Sequence, residues 1–189
     1  METKLKQAES NCLKIVIFGP ESTGKTTLSK QLATHYKTQE VPEYMRDYLQ
    51  KKWNTYGITC EKVDLFPIAE GQMKLENEQA RTVNPVLICD TNLLEIKVYS
   101  EAYYDGYCHP LIEEYALKNE YDLYLLTYID TPWKEDDLRD KPNERTYMFK
   151  LFEDALIRYK KHFHVLKGNK ENRFKEAINQ IDRLLKEGV

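Results

Sequence analysis

The feature that most constrains the fold of this chain is the glycine-rich stretch Gly19-Pro20-Glu21-Ser22-Thr23-Gly24-Lys25-Thr26-Thr27. It follows a short apolar run, Leu13–Phe18, and precedes a segment with helical periodicity. A strand, a G-x-x-x-x-G-K-[ST] turn and a helix in this order are the context of a phosphate-binding loop. The alternative is a glycine turn that merely caps a helix. The order of elements favours the first interpretation, so the sequence predicts that the chain binds a nucleoside triphosphate.

The spacing within this stretch has a chemical reason. The two glycines let backbone N–H groups converge on a phosphate, and the helix N-terminus adds a partial positive charge. We expect Lys25 to reach the β- and γ-phosphates and the Thr26 hydroxyl to hold Mg²⁺. The predicted nucleotide-binding residues of the loop are Gly19, Glu21, Ser22, Thr23, Gly24, Lys25, Thr26 and Thr27.

Length and charge limit the function classes. A chain of 189 residues predicts one domain over residues 1–189, with a flexible N-terminal extension over residues 1–12. The net charge of −3 argues against a nucleic-acid partner. No apolar run has the length of a membrane span, and the polar N-terminus is unlike a signal peptide, so we expect a cytoplasmic protein without a membrane partner. The sequence does not define the oligomeric state.

The four cysteines are widely spaced and form no C-x-x-C pair. This spacing predicts reduced thiols and argues against a zinc site. The cysteines are Cys12, Cys60, Cys89 and Cys108.

Apolar strand patterns alternate with helical patterns along the chain. The predicted strands are Leu13–Phe18, Thr38–Val41, Val86–Cys89, Leu123–Ile129 and Phe163–Leu166. The predicted helices are Lys25–Tyr36, Glu43–Lys52, Glu61–Arg81, Leu93–Tyr103, His109–Lys118, Tyr147–Lys160 and Arg173–Lys186, with a loop at Asn54–Thr59. This alternation predicts an α/β P-loop domain with a parallel sheet and helices on both faces.

Two strand ends carry candidate catalytic groups. The strand before Asp90 predicts a carboxylate beside the Mg²⁺ shell, although an aspartate at a strand end is also common without function. Glu43, Arg46 and Asp47 share one face if their segment is helical. A carboxylate there could accept the proton of an attacking hydroxyl and an arginine could hold the acceptor; the alternative is a solvated helix start. We take Glu43 as the base, with Asp90 as second choice.

A charged segment, Asp137–Arg145, separates the fourth strand from the next helix. Such runs are usually solvated surface, but this one leaves the sheet on its ligand side. Arg139 and Arg145 are therefore predicted to clamp the phosphoryl group from a lid over residues 131–146. The sequence contains no N-K-x-D element, which would indicate guanine recognition. The Gly168-Asn169 turn is a candidate contact to adenine; the alternative is a plain helix start.

Four motifs resemble one known family. The phosphate loop, Glu43-Tyr44-x-Arg46-Asp47-Tyr48, Cys89-Asp90-Thr91-Asn92, and Asp130-Thr131-Pro132-Trp133 with Asp137-Leu138-Arg139 resemble the nicotinamide riboside kinase domain of bacterial NadR-type NAD-biosynthesis proteins. The likeness runs in order over nearly the whole chain. One departure is Pro42, where some members of the family carry a tryptophan.

The resemblance implies a three-layer P-loop NTPase fold with sheet order 2-3-1-4-5, and transfer of a phosphoryl group from ATP-Mg²⁺ to the ribose 5′-hydroxyl of nicotinamide riboside. It implies that Tyr103 packs on the nicotinamide ring. The acceptor-binding residues expected on this basis are Glu43, Tyr44, Arg46, Asp47, Asp90, Asn92 and Tyr103. The adenylyltransferase and DNA-binding parts of the larger proteins are not expected here. A kinase for another nucleoside or small alcohol, and a nucleotide-binding regulatory module, stay open as alternatives.

Overall fold

The computed structural model describes residues 4–83, 85–138 and 143–188. The strands within these ranges are β1 (Leu13–Phe18), β2 (Glu40–Val41), β3 (Val86–Asp90), β4 (Leu123–Thr127) and β5 (Phe163–Leu166). The α-helices are α1 (Lys25–His35), α2 (Tyr44–Tyr56), α3 (Leu65–Ala80), α4 (Leu93–Tyr103), α5 (Pro110–Lys118), α6 (Arg145–Arg158) and α7 (Lys170–Glu187). A short 3₁₀ helix, Lys62–Asp64, precedes α3.

The strands form one parallel sheet in the order β2-β3-β1-β4-β5, which confirms the predicted order. Ile17 of β1 is level with Asp90 of β3 on one side and with Leu125 of β4 on the other. The carboxyl ends of neighbouring strands therefore meet at one edge of the sheet. In open parallel sheets this edge is where ligands bind.

Two hydrophobic cores lie on opposite faces of the sheet. Ile15 and Ile17 of β1 belong to the core that contains buried residues of α1 and α7, such as Leu32 and Ile181. The alternate residues, including Phe18, belong to the core built with α3, α4, α5 and α6. A strand buried on both faces reads as a continuous apolar run, which explains why β1 was predictable from its sequence.

Several helix boundaries differ from the prediction. Helix α2 runs to Tyr56 and ends at Gly57, whose φ of 65° is typical of a helix C-terminus, so the loop predicted from Asn54 begins later. Helix α7 begins at Lys170 rather than Arg173, because the Asn169 side chain accepts a hydrogen bond from the Asn172 N–H and caps it.

Helix α3 contains a proline and a glycine without interruption. Pro67 lies in its first turn, where the backbone N–H has no intrahelical acceptor. At Gly71, a Cβ atom would lie 2.1 Å from the Tyr44 ring, so only glycine leaves room for that ring to pack on α3. The contact between Gly71 and the Tyr44 ring, which explains the glycine, could not be predicted from the sequence.

The described residues before β1, 4–12, pack against the rest of the protein. Leu5 is fully buried, the Gln7 side chain donates to Glu76 over 2.8 Å, and the Ala8 N–H donates to the Asn77 side chain over 2.7 Å. This packing differs from the flexible extension expected over residues 1–12. The polar composition of the segment hid the difference, since a single leucine supplies its apolar anchor.

This packing leads to a stability prediction. Leu5→Ala removes a fully buried side chain and should lower the free energy of unfolding by about 2–4 kcal/mol. The matched control is Leu117→Ala on α5, whose side chain is 36% exposed and which should change stability by less than about 1 kcal/mol. Urea unfolding followed by tryptophan fluorescence measures both. Equal effects of the two variants would show that the segment contributes nothing to the core.

Candidate active site

The glycine-rich loop joins β1 to α1 at the carboxyl edge of the sheet. Gly19 has a φ of 137°, and a Cβ atom there would lie 2.7 Å from the Thr127 hydroxyl oxygen, so the loop can approach β4 only with glycine. Gly24 has a φ of 85° and begins α1 without a side-chain cap. The first N–H groups of a helix have no intrahelical acceptor. The loop and this helix end therefore present an anion site.

The ammonium of Lys25 lies under the loop. It donates to the carbonyls of Gly19 and Pro20 over 2.7 and 3.2 Å, and it pairs with the Glu95 carboxylate over 3.1 Å. Burial alone would lower the pKa of Lys25, but the charges of Glu95, Glu43 and Asp90 outweigh it, and the pKa is raised. Lys25 is therefore a stable cation at the centre of three carboxylates.

Asp90 ends β3 with 1% of its surface exposed. Burial and the charge of Glu43 raise its pKa to about 7, against opposing effects of Lys25 and of the Thr26 hydroxyl. Neither carboxylate oxygen accepts a hydrogen bond of normal geometry from any of the described residues. A buried carboxylate without a donor, beside a threonine hydroxyl, is chemically suited to a hard cation such as Mg²⁺.

Glu95 was not singled out by the sequence, yet it is part of this cluster. It lies in the first turn of α4 with 2% of its surface exposed. Burial raises its pKa to about 8; the charges of Glu43 and Asp90 add to this increase, and Lys25 opposes it. An acid one turn after a strand-terminal aspartate is the signal that could have indicated it.

One cleft of about 1120 Å³ connects the loop with the other strand ends. Its floor is the loop, and its walls come from the start of α2, the end of α4, the lid and the start of α7. The predicted site residues that line it are Glu21, Ser22, Thr23, Gly24, Lys25, Thr26, Thr27, Glu43, Arg46, Tyr103 and Asn169. The nucleotide-binding loop thus shares one cavity with three of the acceptor candidates, Glu43, Arg46 and Tyr103, whereas Asp90 is not among its lining residues.

The second strand end divides its side chains between the cleft and the fold. Glu43 precedes α2 without capping it, so its carboxylate is not used by the helix. Arg46 donates to Asp136 of the lid over 3.0 Å, and this hydrogen bond raises the pKa of the arginine. Tyr44 packs on α3, and Asp47 is exposed; neither is among the described residues that line the cleft.

The third strand end places Asn92 and Tyr103 differently. Asn92 is fully buried, accepts hydrogen bonds from the Leu94 and Glu95 N–H groups and donates to the Tyr124 hydroxyl over 3.0 Å. These contacts give it a structural role, and it does not line the described cleft. Tyr103 is 36% exposed and lines the cleft, with its ring 6.2 Å from that of Tyr99.

The lid reaches the loop through backbone and side-chain contacts. The Thr131 hydroxyl donates to the Ser22 carbonyl over 2.8 Å, and the Lys134 N–H donates to the Ser22 hydroxyl over 2.9 Å. Arg145 donates to the Thr131 carbonyl over 2.8 Å and lies over the Trp133 ring. Arg145 also donates to the Ser22 carbonyl over 3.4 Å, so it contacts the glycine loop from the lid side. Arg139 lies outside the described residues.

Arg173 is a second residue that the sequence did not indicate. It is 4% exposed and donates to the carbonyls of Thr23, Tyr128 and Gly168 over 2.5, 2.8 and 2.9 Å. It also pairs with Asp130, whose carboxylate accepts from the Gly168 N–H over 2.6 Å. Both backbone groups of Gly168 are thus bonded within the protein, and the arginine ties the loop to the start of α7.

The comparisons with known proteins agree with this architecture. A family model described as an AAA domain, AAA_28, matches residues 14–173. The chain belongs to this family. The predicted resemblance to the NadR-type proteins is also confirmed. The chain is 26% identical over 179 residues to the trifunctional NAD biosynthesis/regulator protein NadR of Salmonella typhimurium, and 25% identical to that of Escherichia coli. These matches cover 92% of this chain but only 43% of each relative.

Solved structures of P-loop kinases share the fold of this protein. A crystal structure of NadR protein in complex with NR superposes with a TM-score of 0.78 at 20% identity, over 92% of this chain and 51% of that one. Deoxyadenosine kinase from M. mycoides superposes with a TM-score of 0.66 at 17% identity, over 90% of this chain and 100% of the other. The family member therefore has a nucleoside-kinase-like P-loop fold.

Two features are absent from the residues that the structure describes. None of their helices combines the length and apolar character of a membrane span. No group of three or more His, Cys, Asp or Glu side chains among them could hold a metal ion.

The raised pKa of Asp90 leads to a prediction. Between about pH 4 and 7 the folded chain binds more protons here than the unfolded chain, so this residue lowers stability progressively as pH rises. Asp90→Asn should raise the free energy of unfolding only slightly at pH 4 and by about 1–3 kcal/mol at pH 8, as measured by urea unfolding. Asp154→Asn, at an exposed ion pair with Lys150, is the control and should show no such pH trend. A gain from Asp90→Asn that does not grow with pH would contradict the assignment.

Proposed function

We propose that this protein is an ATP-dependent kinase that phosphorylates the ribose 5′-hydroxyl of nicotinamide riboside to give nicotinamide mononucleotide. The observation that carries the proposal is the cleft that is lined both by the glycine-rich loop and by Glu43, Arg46 and Tyr103. Donor and acceptor groups could therefore meet in line within one cavity. The resemblance to NadR-type proteins supports the choice of acceptor.

The loop would hold the donor. Its backbone N–H groups and the N-terminus of α1 would bind the phosphates, with Lys25 on the β- and γ-phosphates. The Thr26 hydroxyl and Asp90 fit a magnesium site, and Mg²⁺ bound there would neutralise charge on the phosphates. The turn at Asn169 lines the same cleft, and Arg173 ties it to the loop through the carbonyls of Gly168 and Thr23, so Asn169 would be available to the nucleoside part of the donor.

The acceptor end would orient the riboside. Glu43 would accept the proton of the 5′-hydroxyl, and Arg46 would hold the acceptor after exchanging its bond to Asp136. Tyr103 would pack against the pyridinium ring, since a cation is attracted to an aromatic face. Because phosphoryl transfer has a loose transition state, most of the rate enhancement would come from positioning and charge neutralisation.

The proposal is tested by ADP release in the presence of ATP-Mg²⁺ and a panel of ribosides and small alcohols. We expect nicotinamide riboside to stimulate release most strongly, with nicotinamide mononucleotide as the product identified by mass spectrometry. If only another acceptor stimulates ADP release, that acceptor and not nicotinamide riboside is the substrate. Tight nucleotide binding with no acceptor-stimulated release would favour a regulatory module.

Glu43→Gln tests the assignment of the base. The substitution removes the proton acceptor but keeps the shape, so kcat should fall by about 10²–10⁴-fold while the Kd for ATP-Mg²⁺ stays within about twofold. Steady-state kinetics and calorimetry measure the two quantities. Glu78→Gln, at an exposed ion pair on α3, is the control and should behave as wild type. An unchanged kcat in Glu43→Gln would exclude Glu43 as the base.

A further inference from the structure

The ammonium of Lys25 has no spare donor in this structure. An ammonium carries three N–H groups, and its three partners are the Gly19 carbonyl at 2.7 Å, the Pro20 carbonyl at 3.2 Å and the Glu95 carboxylate at 3.1 Å. A phosphate that is to be held by Lys25 must therefore replace one of these partners.

The carboxylate is the partner whose role the fold explains least. Glu95 is anchored through its backbone, since its N–H donates to the Asn92 side chain over 3.2 Å. Its carboxylate does not contribute to the capping of α4. Apart from the ion pair with Lys25, neither of its oxygens has a hydrogen-bond partner with full geometry within the described residues. The side chain of Glu95 thus contacts the site and is not needed to end or begin the helix.

The ion pair between Lys25 and Glu95 is buried, so each of the two charges depends on the other for its stabilisation. The Glu95 side chain is 2% exposed and that of Lys25 is 9% exposed, so water screens neither charge well. The two carbonyls belong to the loop that surrounds the phosphate site, and neutral carbonyls do not repel an ammonium-bound anion as a carboxylate does. Phosphate and the Glu95 carboxylate are therefore direct competitors for one cation.

We propose that Glu95 is a positioning residue that competes with the nucleotide's phosphates for Lys25. It holds the ammonium against the loop carbonyls and gives it up when the phosphates bind. This role lowers nucleotide affinity and returns Lys25 to a defined place when the product leaves. The inference rests on the proposed nucleotide-binding role of the loop, but it is independent of the identity of the phosphate acceptor.

The test is the Kd for ATP-Mg²⁺ measured by calorimetry without any acceptor. The measurement is made at pH 9, above the pKa of about 8 that burial gives Glu95, where the carboxylate is ionised and Lys25 is still a cation. Glu95→Gln then removes the competing charge at nearly constant volume, so the Kd should fall by about fivefold. The matched control is Glu76→Gln, at another fully buried glutamate, which bonds to Gln7 and Tyr121 and is outside the site. Its Kd should equal that of wild type. An unchanged or weaker Kd in Glu95→Gln would overturn the proposal.

Two further variants distinguish competition for Lys25 from direct repulsion between Glu95 and the phosphates. They also keep the proposal testable if Glu95→Gln misfolds. Glu95→Asp keeps the charge but shortens the side chain, so it should also tighten binding, although less than Glu95→Gln; no tightening would count against the contact. In a Lys25→Met background, the gain from Glu95→Gln should disappear, because the carboxylate acts through the lysine. A gain of the same size in that background would show repulsion of the phosphates themselves and would overturn the proposal.

The same measurements distinguish this inference from the proposed function. If wild type binds ATP-Mg²⁺ but no riboside stimulates turnover, the proposed function fails while the Kd values still decide the role of Glu95. If wild type does not bind ATP-Mg²⁺ at all, both proposals fall together. Normal turnover with a Kd that is insensitive to Glu95→Gln would leave the kinase intact and remove only the competition.

Discussion

The arrangement of this site depends on one buried cation surrounded by carboxylates. Lys25 pairs directly with Glu95, and the charges of Glu43 and Asp90 also act on it. Burial is the main cause that raises the pKa values of Asp90 and Glu95 to about 7 and about 8, and repulsion among carboxylates that one ammonium cannot neutralise adds to the increase. Such a cluster is poorly balanced in charge by itself. A divalent cation beside Asp90 would supply positive charge where the cluster lacks it, which ties the electrostatics of the cluster to the proposed Mg²⁺.

The loop around this cation is held in a strained and closely fitted backbone. Ser22 has a φ of 56° and Thr91, directly after Asp90, has a φ of 82°, which is unusual for a β-branched residue. Conformations of this kind persist only where the surroundings impose them, and they concentrate at functional sites. Here the Thr91 N–H donates to the Ile17 carbonyl over 3.2 Å, and Gly19 approaches Thr127 closely. The cost in stability supports a fixed geometry around the phosphate site.

The sequence predicted most of what depends on local pattern. Continuous apolar runs located the buried strands, and the G-x-x-x-x-G-K-T spacing located the loop, because both are short-range signals. Side chains that act across long sequence distances were not predictable in this way. Arg173 bonds to Thr23, 150 positions earlier in the chain, and looks like an ordinary charged residue of an amphipathic helix. Asn92 shows a second limit of the sequence, because the helix-capping contact of this motif residue was not predicted.

The arginines of the site differ in how firmly the protein holds them, and this difference indicates their roles. Arg173 is 4% exposed and bonds to three carbonyls and to Asp130, so removing it from these partners would leave several buried polar groups unsatisfied. Arg46 and Asp136 have side chains that are 38% and 23% exposed, and an ion pair in such surroundings contributes at most about 1 kcal/mol. A substrate can replace the second contact at small cost but not the first. Arg173 is therefore part of the frame that shapes the loop, whereas the contact of Arg46 is weak enough to be exchanged for the acceptor that the proposed function requires.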